Sequence, residues 1–347
     1  NDSVIEDVVA SGNVLVGIDV VGSSDSVADS NVSVNGAGVY VVGSSDSVVN
    51  STVSGNNWWG VYVNGSDDSV ANSKVSGNNW WGIGVVGSSD SVVNSTVSGN
   101  WAGVNITGDG DSIVNSKVSG NGTGIYVNGS DDSVINSTVS VNGCGVNITG
   151  DGDSIVNSKV SVNNGWSVYV TGDGDSIVNS TVSGNGTGVY VNGSDDSFVG
   201  DRFQGGGLFL VGPYYEVVAD DTVNGRPLAY LYDASNVTVR GAGQVIAVDS
   251  RGLRVVGANV SYATVGVLLL DVNDSVIEDV VASGNVLVGI YVNGSDDSVV
   301  NSTVSGNWYG VGIIGSHDSV VNSTVSSNGY GIALYGDSGT LITGNII

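Results

Sequence analysis

Hydrophobic and polar residues alternate along most of the chain in short segments, and the pattern of segments repeats every 21 to 23 residues. One repeat, residues 46–67, reads DSVVNSTVSGNNWWGVYVNGSD. It contains two short segments of alternating valine and polar residues, a Gly-Asn corner, a third segment GVYV and a polar turn. Alternation with a period of two predicts β-strands, and the Gly, Asn and Asp residues between them predict turns. Each repeat therefore predicts three strands and three corners.

The tripeptide Asp-Ser-Val/Ile/Phe marks one point in each repeat. Its aspartates are Asp2, Asp25, Asp46, Asp68, Asp90, Asp111, Asp132, Asp153, Asp175, Asp196, Asp274, Asp297 and Asp318, with a degenerate copy at Asp337. One repeat alone cannot bury its valines, whereas repeats stacked about 4.8 Å apart pair every strand with the next and close a continuous core. The sequence therefore predicts an all-β fold, a right-handed parallel β-helix solenoid of about fifteen rungs with three strands per rung.

The regularity of the repeat divides the chain into three parts. We expect regular β-helix rungs over 1–200, an irregular insertion or break over 201–235, and continuing rungs over 236–347. The break and its continuation contain both prolines and all five arginines, namely Pro213, Pro227, Arg202, Arg226, Arg240, Arg251 and Arg254. Residues 1–18 recur letter for letter as residues 273–290, which indicates one geometry tolerated at two places along the solenoid.

Composition narrows the classes of partner. There are 8 Lys and Arg against 34 Asp and Glu, and the net charge of −26 repels nucleic acid and anionic membrane surfaces. No apolar run approaches the roughly 18 residues of a membrane span. Cys144 is the single cysteine and cannot form an intrachain disulfide. Because the sequence also contains no Met, we expect a processed, exported protein at the cell surface or outside the cell.

The rung pattern DSVVNSTVSGNxxGVYV resembles the repeats of NosD-like, PbH1-type right-handed β-helix proteins. The segment DDTVNGRPLAYLYDASNVTV, residues 220–239, is similar to a recurrent stretch of archaeal NosD-like surface proteins. The resemblance implies a β-helix surface protein of archaeal type, in a group that includes carbohydrate-binding and sugar-cleaving proteins. The copper role in the NosD name needs imidazole or sulfur ligands. One histidine, His317, and one cysteine, far apart in sequence, do not favour that role.

Stacking turns each repeat position into a column, and the acidic column is the first candidate site. The GDGD turns contain Asp109, Asp111, Asp151, Asp153, Asp173 and Asp175. Carboxylates about 4.8 Å apart in water repel by roughly 0.9 kcal/mol, so the column favours counter-ions. Calcium suits such all-oxygen turns and is the one cofactor that we predict. In the alternative interpretation each Asp caps its own turn, and diffuse cations screen the remaining charge.

Tryptophans form a band at the corner before the third strand. Its members on successive rungs are Trp58, Trp59, Trp80, Trp81 and Trp101. An exposed band of this kind could hold copies of the protein together laterally or stack on sugar rings, because large apolar patches usually mark contacts. Alternatively, one Trp of each pair packs beneath its corner.

Asparagine, threonine and lysine form further columns. One asparagine column runs through Asn50, Asn72, Asn94, Asn115, Asn136, Asn157 and Asn179, and another through Asn56, Asn78, Asn100, Asn121, Asn142, Asn163 and Asn185. We interpret both as corner-building ladders. The first contains the N-glycosylation candidates Asn50, Asn94, Asn136 and Asn179, continued by Asn301 and Asn322. Lys74, Lys117 and Lys159 replace the sequon Thr on alternate rungs, so glycans would be excluded from those rungs.

Catalysis is not favoured by the acidic pairs. Sugar hydrolases and lyases need paired carboxylates, or a base beside a metal, in a groove. The pairs here recur at the same turn, whereas catalytic residues should break a repeat. The exception is Asp220 and Asp221 with Arg226, Arg251 and Arg254, where the arginines could instead neutralise acids around the break.

The sequence therefore predicts a non-enzymatic structural protein, a subunit of an extracellular filament, sheath or surface layer. Its partner would be itself, joined head-to-tail through open β-helix ends, laterally through the Trp band, or both. If residues outside this sequence cap the ends of the β-helix, only lateral association through the Trp band is left. The alternatives are a secreted carbohydrate-binding or polysaccharide-cleaving β-helix and a trimeric spike or adhesin.

Overall fold

The fold is known from a computed structural model, which describes residues 2–184, 187–212, 215–336 and 338–347. These residues form strands and turns and no helix, in a parallel β-solenoid of about 16 turns that matches a right-handed parallel β-helix with about three strands per rung. The predicted fold is confirmed, with about one turn more than expected. Asp337, Asn185 and Pro213, named above from the sequence, lie outside the described residues.

The chain forms two compact units. The first comprises Asn1–Thr181 and Asn192–Ser197, and the second comprises Val182–Val191 and Phe198–Ile347. The strands Thr181–Gly184 and Ser197–Val199 each include residues of both units.

The first unit consists of three parallel sheets, and each rung contributes one strand to each sheet. Sheet 1 contains Val4–Glu6, Ser26–Ala28, Ser47–Val49, Ser69–Ala71, Ser91–Val93, Ser112–Val114, Ser133–Ile135, Ser154–Val156 and Ser176–Val178. Sheet 2 contains Val9–Ser11, Asn31–Ser33, Thr52–Ser54, Lys74–Ser76, Thr96–Ser98, Lys117–Ser119, Thr138–Ser140 and Lys159–Asn163. Sheet 3 contains Val16–Val21, Ala37–Ser44, Val61–Ser66, Trp81–Ser88, Ala102–Ile106, Thr123–Val127, Cys144–Ile148 and Val168–Val170. Equivalent residues of successive rungs pair without slippage, as in Thr52↔Lys74↔Thr96.

The second unit also stacks parallel strands. Its longest row is Arg226–Tyr232, Gln244–Val248, Val265–Asn273, Val288–Ser295, Tyr309–Ser316 and Tyr330–Leu334. A second row is Thr238–Arg240, Arg254–Val256, Val276–Glu278, Ser298–Val300, Ser319–Val321 and Leu341–Thr343, and a third is Val281–Ser283, Thr303–Ser305 and Thr324–Ser326. The remaining strands are Val189–Val191, Arg202–Gln204, Leu208–Leu210, Val217–Ala219 and Thr222–Val223.

A hairpin interrupts the parallel pattern inside the predicted break. Thr222 pairs antiparallel with Pro227, and Val223 with Arg226. The two residues between them, Asn224 and Gly225, have φ of 52° and 75°. Positive φ at both central residues is the requirement of a type I′ hairpin turn, and Asn-Gly is its preferred sequence. The dipeptide therefore reverses the chain before the parallel rows resume.

A left-handed residue stands at each corner of a regular rung. In the rung that starts at Asp46 these are Asn50, Gly55 and Asp67, with φ of 52°, 63° and 62°. Asn, Asp and Gly tolerate this conformation better than other residues do. Between corners, the middle valine of each short strand points inward and is fully buried, as at Val48 and Val53. Corner chemistry and alternation thus define the coil together.

One glycine column is fixed by the stacking distance. A Cβ on Gly65 would lie 1.4 Å from the carbonyl oxygen of Gly43 and 2.7 Å from Oδ2 of Asp68. The same clash would occur at Gly87, Gly108, Gly129, Gly150, Gly172 and Gly193. Any side chain at these positions would collide with the backbone of the adjacent rung. Because glycine has no side chain, the two backbones can approach each other closely beside the acidic column.

Candidate functional site

Three columns of buried polar side chains run through the first unit, one at each corner. Each member directly follows the left-handed residue of its corner. The Asp corner, between sheets 3 and 1, holds Asp25, Asp46, Asp68, Asp90, Asp111, Asp132, Asp153, Asp175 and Asp196. The Ser corner, between sheets 1 and 2, holds Ser30, Ser51, Ser73, Ser95, Ser116, Ser137, Ser158 and Ser180. The Asn corner, between sheets 2 and 3, holds Asn35, Asn56, Asn78, Asn100, Asn121, Asn142 and Asn163.

Each polar side chain accepts a backbone hydrogen bond from the preceding rung. The N–H of Asp46 donates to Oδ1 of Asp68 at 2.7 Å. At the other corners the N–H of Ser51 donates to Ser73 Oγ at 3.1 Å, and the N–H of Asn56 donates to its counterpart one rung later at 3.0 Å. A buried N–H without a partner is costly, so these side chains provide acceptors where the chain turns between sheets. The columns are therefore structural ladders.

The two predicted asparagine ladders differ in the structure. The column through Asn56 is buried, and its side-chain amides also bond to one another, as between Asn56 Nδ2 and Asn78 Oδ1 at 2.9 Å. The column through Asn50 is exposed and supplies the left-handed corner residues. Sequence reasoning missed the Ser ladder, although a Ser follows nearly every one of these left-handed residues.

The Asp ladder is a row of carboxyl groups inside the protein. Only Oδ1 is used by the backbone bond, and Oδ2 is buried without a hydrogen-bond partner in Asp46, Asp68, Asp90, Asp111, Asp132, Asp153, Asp175, Asp221 and Asp297. Burial raises the pKa of Asp68, Asp111, Asp153 and Asp221 to about 6, of Asp90, Asp132 and Asp297 to about 7, and of Asp175 to about 8. Neighbouring carboxylates add to the effect for most of them. Each of these eight carboxyl groups is therefore about half protonated or more near pH 6.

The residues predicted to bind calcium are separated into two environments. Asp111, Asp153 and Asp175 belong to the buried Asp ladder, whereas Asp109, Asp151 and Asp173 are exposed on the same turns. Each exposed member accepts a backbone N–H from the next rung, donated by Ser130, Asp173 and Ser194 respectively. Within the described residues, no three His, Cys, Asp or Glu side chains form a group that could hold a metal ion. Calcium at these turns stays a prediction.

The Trp band lies at the Asn corner, where its members divide into an outer and an inner set. Trp58, Trp80 and Trp101 are 44%, 50% and 63% exposed, and their backbones are joined in a ladder by bonds from Trp80 N to Trp58 O and from Trp101 N to Trp80 O. Trp59 and Trp81 are half-buried. The Trp80 and Trp81 rings stack at 5.6 Å. The structure thus contains both predicted environments, an exposed ring and a packed ring on the same rung.

The six glycosylation candidates share one conformation. Asn50, Asn94, Asn136, Asn179, Asn301 and Asn322 are all exposed corner residues with φ between 50° and 52°. The sequon Thr follows two residues later at the start of the next strand, for example Thr52 and Thr96. Their side chains are accessible, and whether they carry glycans stays a prediction.

The candidate catalytic residues are not assembled into one site. Asp221 is a buried corner residue whose Oδ1 accepts the N–H of Asp201 at 2.6 Å. Arg226 donates to the carbonyl oxygen of Asn259 at 3.2 Å, and Arg254 pairs with Glu278 at 3.0 Å. Asp221 is thus a ladder residue, and these two arginines bond elsewhere.

Arg251 lies in a different cleft that sequence reasoning missed. Asp233, Asp249 and Asp271, one from each of three successive rungs, line this cleft with Arg251. All three acids have φ between 47° and 54° and are exposed. The signal that could have found them is an Asp directly after an apolar run, as in Tyr232-Asp233 and Leu270-Asp271.

Two family models match separate parts of the chain. The model described as right-handed beta helix region matches residues 37–165, and the model described as periplasmic copper-binding protein (NosD) matches residues 211–347. This chain is a right-handed parallel β-helix protein. The predicted resemblance of this β-helix to NosD-like and PbH1-type repeats is confirmed.

Several solved structures are similar to this chain at low sequence identity. A mutant of the PL6-family alginate lyase AlyGC is 10% identical with a TM-score of 0.48, over 98% of this chain and 69% of that one. A tailspike protein mutant of E. coli bacteriophage HK620 is 12% identical with a TM-score of 0.39, over 93% and 68%. Pectate lyase Pel9A is 15% identical with a TM-score of 0.30, over 86% and 70%. Among curated proteins, none matches the β-helix in sequence.

Copper ligands of the kind implied by the NosD family model do not come together in this β-helix. His317 is an exposed corner residue of the second unit, with φ of 60°. Cys144 belongs to the first unit, and burial raises the pKa of its thiol, which opposes metal binding. The sequence contains no further His or Cys and no Met. The residues present therefore do not fit a copper site.

In the described part of the chain, no helix is long and apolar enough to cross a membrane.

Proposed function

We propose that this β-helix is an exported, non-enzymatic structural protein that associates with copies of itself in an extracellular filament, sheath or surface layer. The observation that carries the proposal is the column of exposed indole rings at Trp58, Trp80 and Trp101. Exposed aromatic rings on consecutive rungs form a continuous apolar strip, and such strips on protein surfaces usually mark contacts with other molecules.

The ladders support a structural role over catalysis. A hydrolase or lyase needs carboxylates whose oxygens face a substrate. In this β-helix, Oδ1 of each ladder aspartate accepts a backbone N–H and the side chain is buried, as at Asp68 and Asp132, which accept from Asp46 and Asp111. The acidic pairs noticed in the sequence therefore belong to the architecture.

Head-to-tail association is the second mode of the same proposal. The tripeptide VIE occurs at Val4–Glu6 and again at Val276–Glu278. At Val276–Glu278 it pairs in parallel with Arg254–Val256 on one edge and with Ser298–Val300 on the other, so this sequence is suited to parallel strand addition.

The proposal is tested by electron microscopy and sedimentation velocity of the purified protein. We expect ligand-independent assemblies, and we expect Trp80→Ser to weaken them more than Trp308→Ser does. Trp308 is a suitable control because it is similarly exposed, at 58%, and lies in the second unit. Monodisperse monomers at all protein concentrations would contradict the proposal.

A carbohydrate-binding role is the second candidate. Asn57, Trp58, Trp59 and Trp80 line a shallow cleft of about 450 Å³. Indole faces stack on sugar rings, and an amide beside them could orient hydroxyl groups. A sugar-dependent rise in Tm that is lost in Trp58→Ser, in a protein that stays monomeric, would favour this role over self-association.

Localisation, glycans and calcium belong to the same proposal. The matching family model is that of a periplasmic protein, which supports export of this β-helix. We propose N-glycans at the exposed sequons, to be mapped by peptide mass spectrometry on protein from its natural source. We also propose calcium at the exposed Asp109, Asp151 and Asp173. A Tm that falls on chelation and recovers with added calcium would support this site, and an unchanged Tm would argue against it.

A further inference from the structure

Acidic and basic residues occupy different sides of the regular rungs. Between residues 47 and 166 the acids are Asp67, Asp68, Asp90, Asp109, Asp111, Asp131, Asp132, Asp151 and Asp153, and all lie at the Asp corner or in the turn that leads to it. The basic residues of this stretch are Lys74, Lys117 and Lys159, and all begin strands of sheet 2. In a coil with three sheets and three corners, sheet 2 is the side opposite the Asp corner. The charge of each rung is therefore polarised across the solenoid.

The lysine face is defined here as the outer surface of sheet 2 around Lys74, Lys117 and Lys159. All three side chains are exposed, and each strand pairs in register with strands that begin with Thr, as in Thr96↔Lys117↔Thr138. Successive lysines are therefore two rungs, or roughly 9.6 Å, apart. The other outward residues of these strands are Ser and Thr, with the exposed Val162 at the end of the strand that begins at Lys159. Among the described residues, no acid lies within ion-pair distance of these lysines.

The acid edge is defined here by Asp67, Asp109, Asp131 and Asp151, which are exposed. The ladder aspartates beside them are buried, so their side chains are not accessible to a partner. The exposed residues therefore supply the accessible carboxylates of this edge. Every rung with a lysine also has one exposed acid, in the combinations Asp67 with Lys74, Asp109 with Lys117 and Asp151 with Lys159. The acid edge thus has a member on each lysine rung, and Asp131 adds one on the rung between those of Lys117 and Lys159.

We propose that copies of this chain associate side by side in parallel, with the acid edge of one copy seated on the lysine face of the next. The inference rests on the self-association proposed above and specifies its lateral contact. Copies placed in axial register bring three acids against three lysines at matching intervals. The Asn corner with Trp58, Trp80 and Trp101 borders the lysine face, so the same contact covers part of the Trp band.

The contact uses two different surfaces of the same molecule. Such a heterologous contact leaves one acid edge and one lysine face free after each addition. It therefore propagates sideways into a layer instead of closing as a dimer. Complementary charge mainly sets partner choice and register, while apolar contact adds affinity.

A second copy fits this surface better than an unrelated polyanion. The chain has a net charge of −26, so a long polyanion on the lysine face would also approach the protein's other acidic surfaces. A copy in register instead presents an exposed acid opposite each lysine, at Asp67, Asp109 and Asp151. Salt weakens interactions between exposed charges because the Debye length falls from about 10 Å at 0.1 M to about 3 Å at 1 M. The lateral contact is therefore expected to be salt-sensitive.

The test is a charge swap measured by sedimentation velocity and electron microscopy. One variant carries Lys74→Glu, Lys117→Glu and Lys159→Glu, and the other carries Asp67→Lys, Asp109→Lys and Asp151→Lys. We expect each variant alone to lose lateral association by at least about tenfold. Mixed together they should associate again, because the reversed face of one variant matches the reversed edge of the other. Circular dichroism and Tm confirm that both variants fold.

A matched pair of single substitutions controls for net charge. Lys117→Glu and Arg240→Glu change the charge equally, and Arg240 is an exposed residue of the second unit. We expect only Lys117→Glu to weaken the lateral contact. Lateral association that survives reversal of all three lysines but is lost in Trp80→Ser would overturn this inference and leave self-association intact. Wild-type protein that never associates would overturn the proposed function itself.

Discussion

The regular rungs of the first unit and the rungs between residues 236 and 272 of the second unit turn their corners in different ways. Both place left-handed residues at the corners, such as Asn50 and Gly55 in the first and Gly252 and Tyr262 in the second. In the first unit the next residue is a buried Asp, Ser or Asn. In the second it is mostly apolar, at Val237, Ala242, Leu253, Ala258 and Ala263, and the exception is Ser250, which accepts the N–H of Ala234 at 3.0 Å.

This difference distinguishes the residue that turns the chain at a corner from the residue that stabilises the corner. The left-handed residue is common to both regions, so it redirects the chain. The polar residue supplies an acceptor to the rung before it, and a corner can close without one. Where the polar residues resume, they serve the apolar rung: the N–H of Leu253 donates to Ser275 Oγ at 2.9 Å, and that of Ala263 donates to Asn285 Oδ1 at 2.8 Å. The N–H groups of the apolar corners therefore donate ladder bonds to the next rung, but the apolar side chains accept none from the rung before.

The largest expected effect breaks the close stacking on which the polar corners depend. In Gly129→Ala the new Cβ would lie 1.5 Å from the carbonyl oxygen of Gly108 and 2.7 Å from Oδ2 of Asp132. The backbone of the adjacent rung must shift, so we expect a loss of about 3 kcal/mol or more in unfolding free energy. Gly120→Ala is the control, because its Cβ meets only Gly99 N at 3.9 Å and its cost comes from φ of +69° alone, about 1–2 kcal/mol. Equal losses in urea unfolding would refute the stacking argument.

The second prediction concerns pH and the Asp ladder. In the unfolded chain these carboxyls lose their protons near the ordinary pKa of 3.8, whereas the folded protein retains them up to pKa values of about 6 to 8. Between these limits the folded state binds more protons, so stability is fully present below about pH 4 and falls as the pH rises towards 8. One pKa unit corresponds to about 1.4 kcal/mol. We therefore expect Tm to be several degrees higher at pH 5 than at pH 8. The opposite slope would show that the ladder is ionised.

A substitution within the ladder sharpens the pH argument. Asp132→Asn keeps the Oδ1 acceptor for the N–H of Asp111 and replaces the ionisable oxygen with an amide. We expect it to raise Tm at pH 8 and to change it little at pH 5. Asp132→Ala should instead cost about 1–3 kcal/mol at both pH values, because that N–H loses its acceptor. Asp131→Asn, on the exposed neighbour, should change the pH dependence of Tm less than Asp132→Asn does, and equal changes would contradict the assignment to Asp132.

The smallest expected effect tests the left-handed residue that both regions share. Val141 has φ of 59° and is 60% exposed, at a corner where most other rungs have Gly. A β-branched residue is strained in this conformation by roughly 1–2 kcal/mol, part of which Gly would offset by its larger entropy loss. Val141→Gly should therefore stabilise the protein by about 0.5–1 kcal/mol. Val139→Gly, two residues earlier and fully buried, should destabilise the protein. A loss of stability in both variants would contradict the strain argued for Val141.

Much of the coil could be predicted from the sequence because its period is carried by strong local signals. Alternating valines define the strands, and Asn, Gly and Asp occupy the corners at fixed spacing. The inward direction of Asp68 and Asp132 could not be predicted, because an ionisable residue in a polar turn is expected to face water. Only the stacked backbone reveals the N–H that each carboxyl serves.

The candidate sites were harder to predict than the coil. The Trp pairs and the exposed sequons were recognisable because both occur at regular repeat positions. The acidic cleft around Arg251 was not, since Asp233, Asp249 and Asp271 are separated by unequal intervals of 16 and 22 residues. Asp221 and Arg226 are close in sequence, but the hairpin at Asn224 and Gly225 directs them to different partners.

The ladder bonds also give the solenoid a direction of growth. The acceptor for each corner N–H belongs to the rung that follows in sequence, as from Asp46 to Asp68 and from Asp68 to Asp90. During synthesis or export, a completed rung therefore waits for its successor before its corners are satisfied, and the newest rung is always the incomplete one. Folding can then proceed rung by rung from the amino end. The strands of each new rung pair with the strands of the rung already folded.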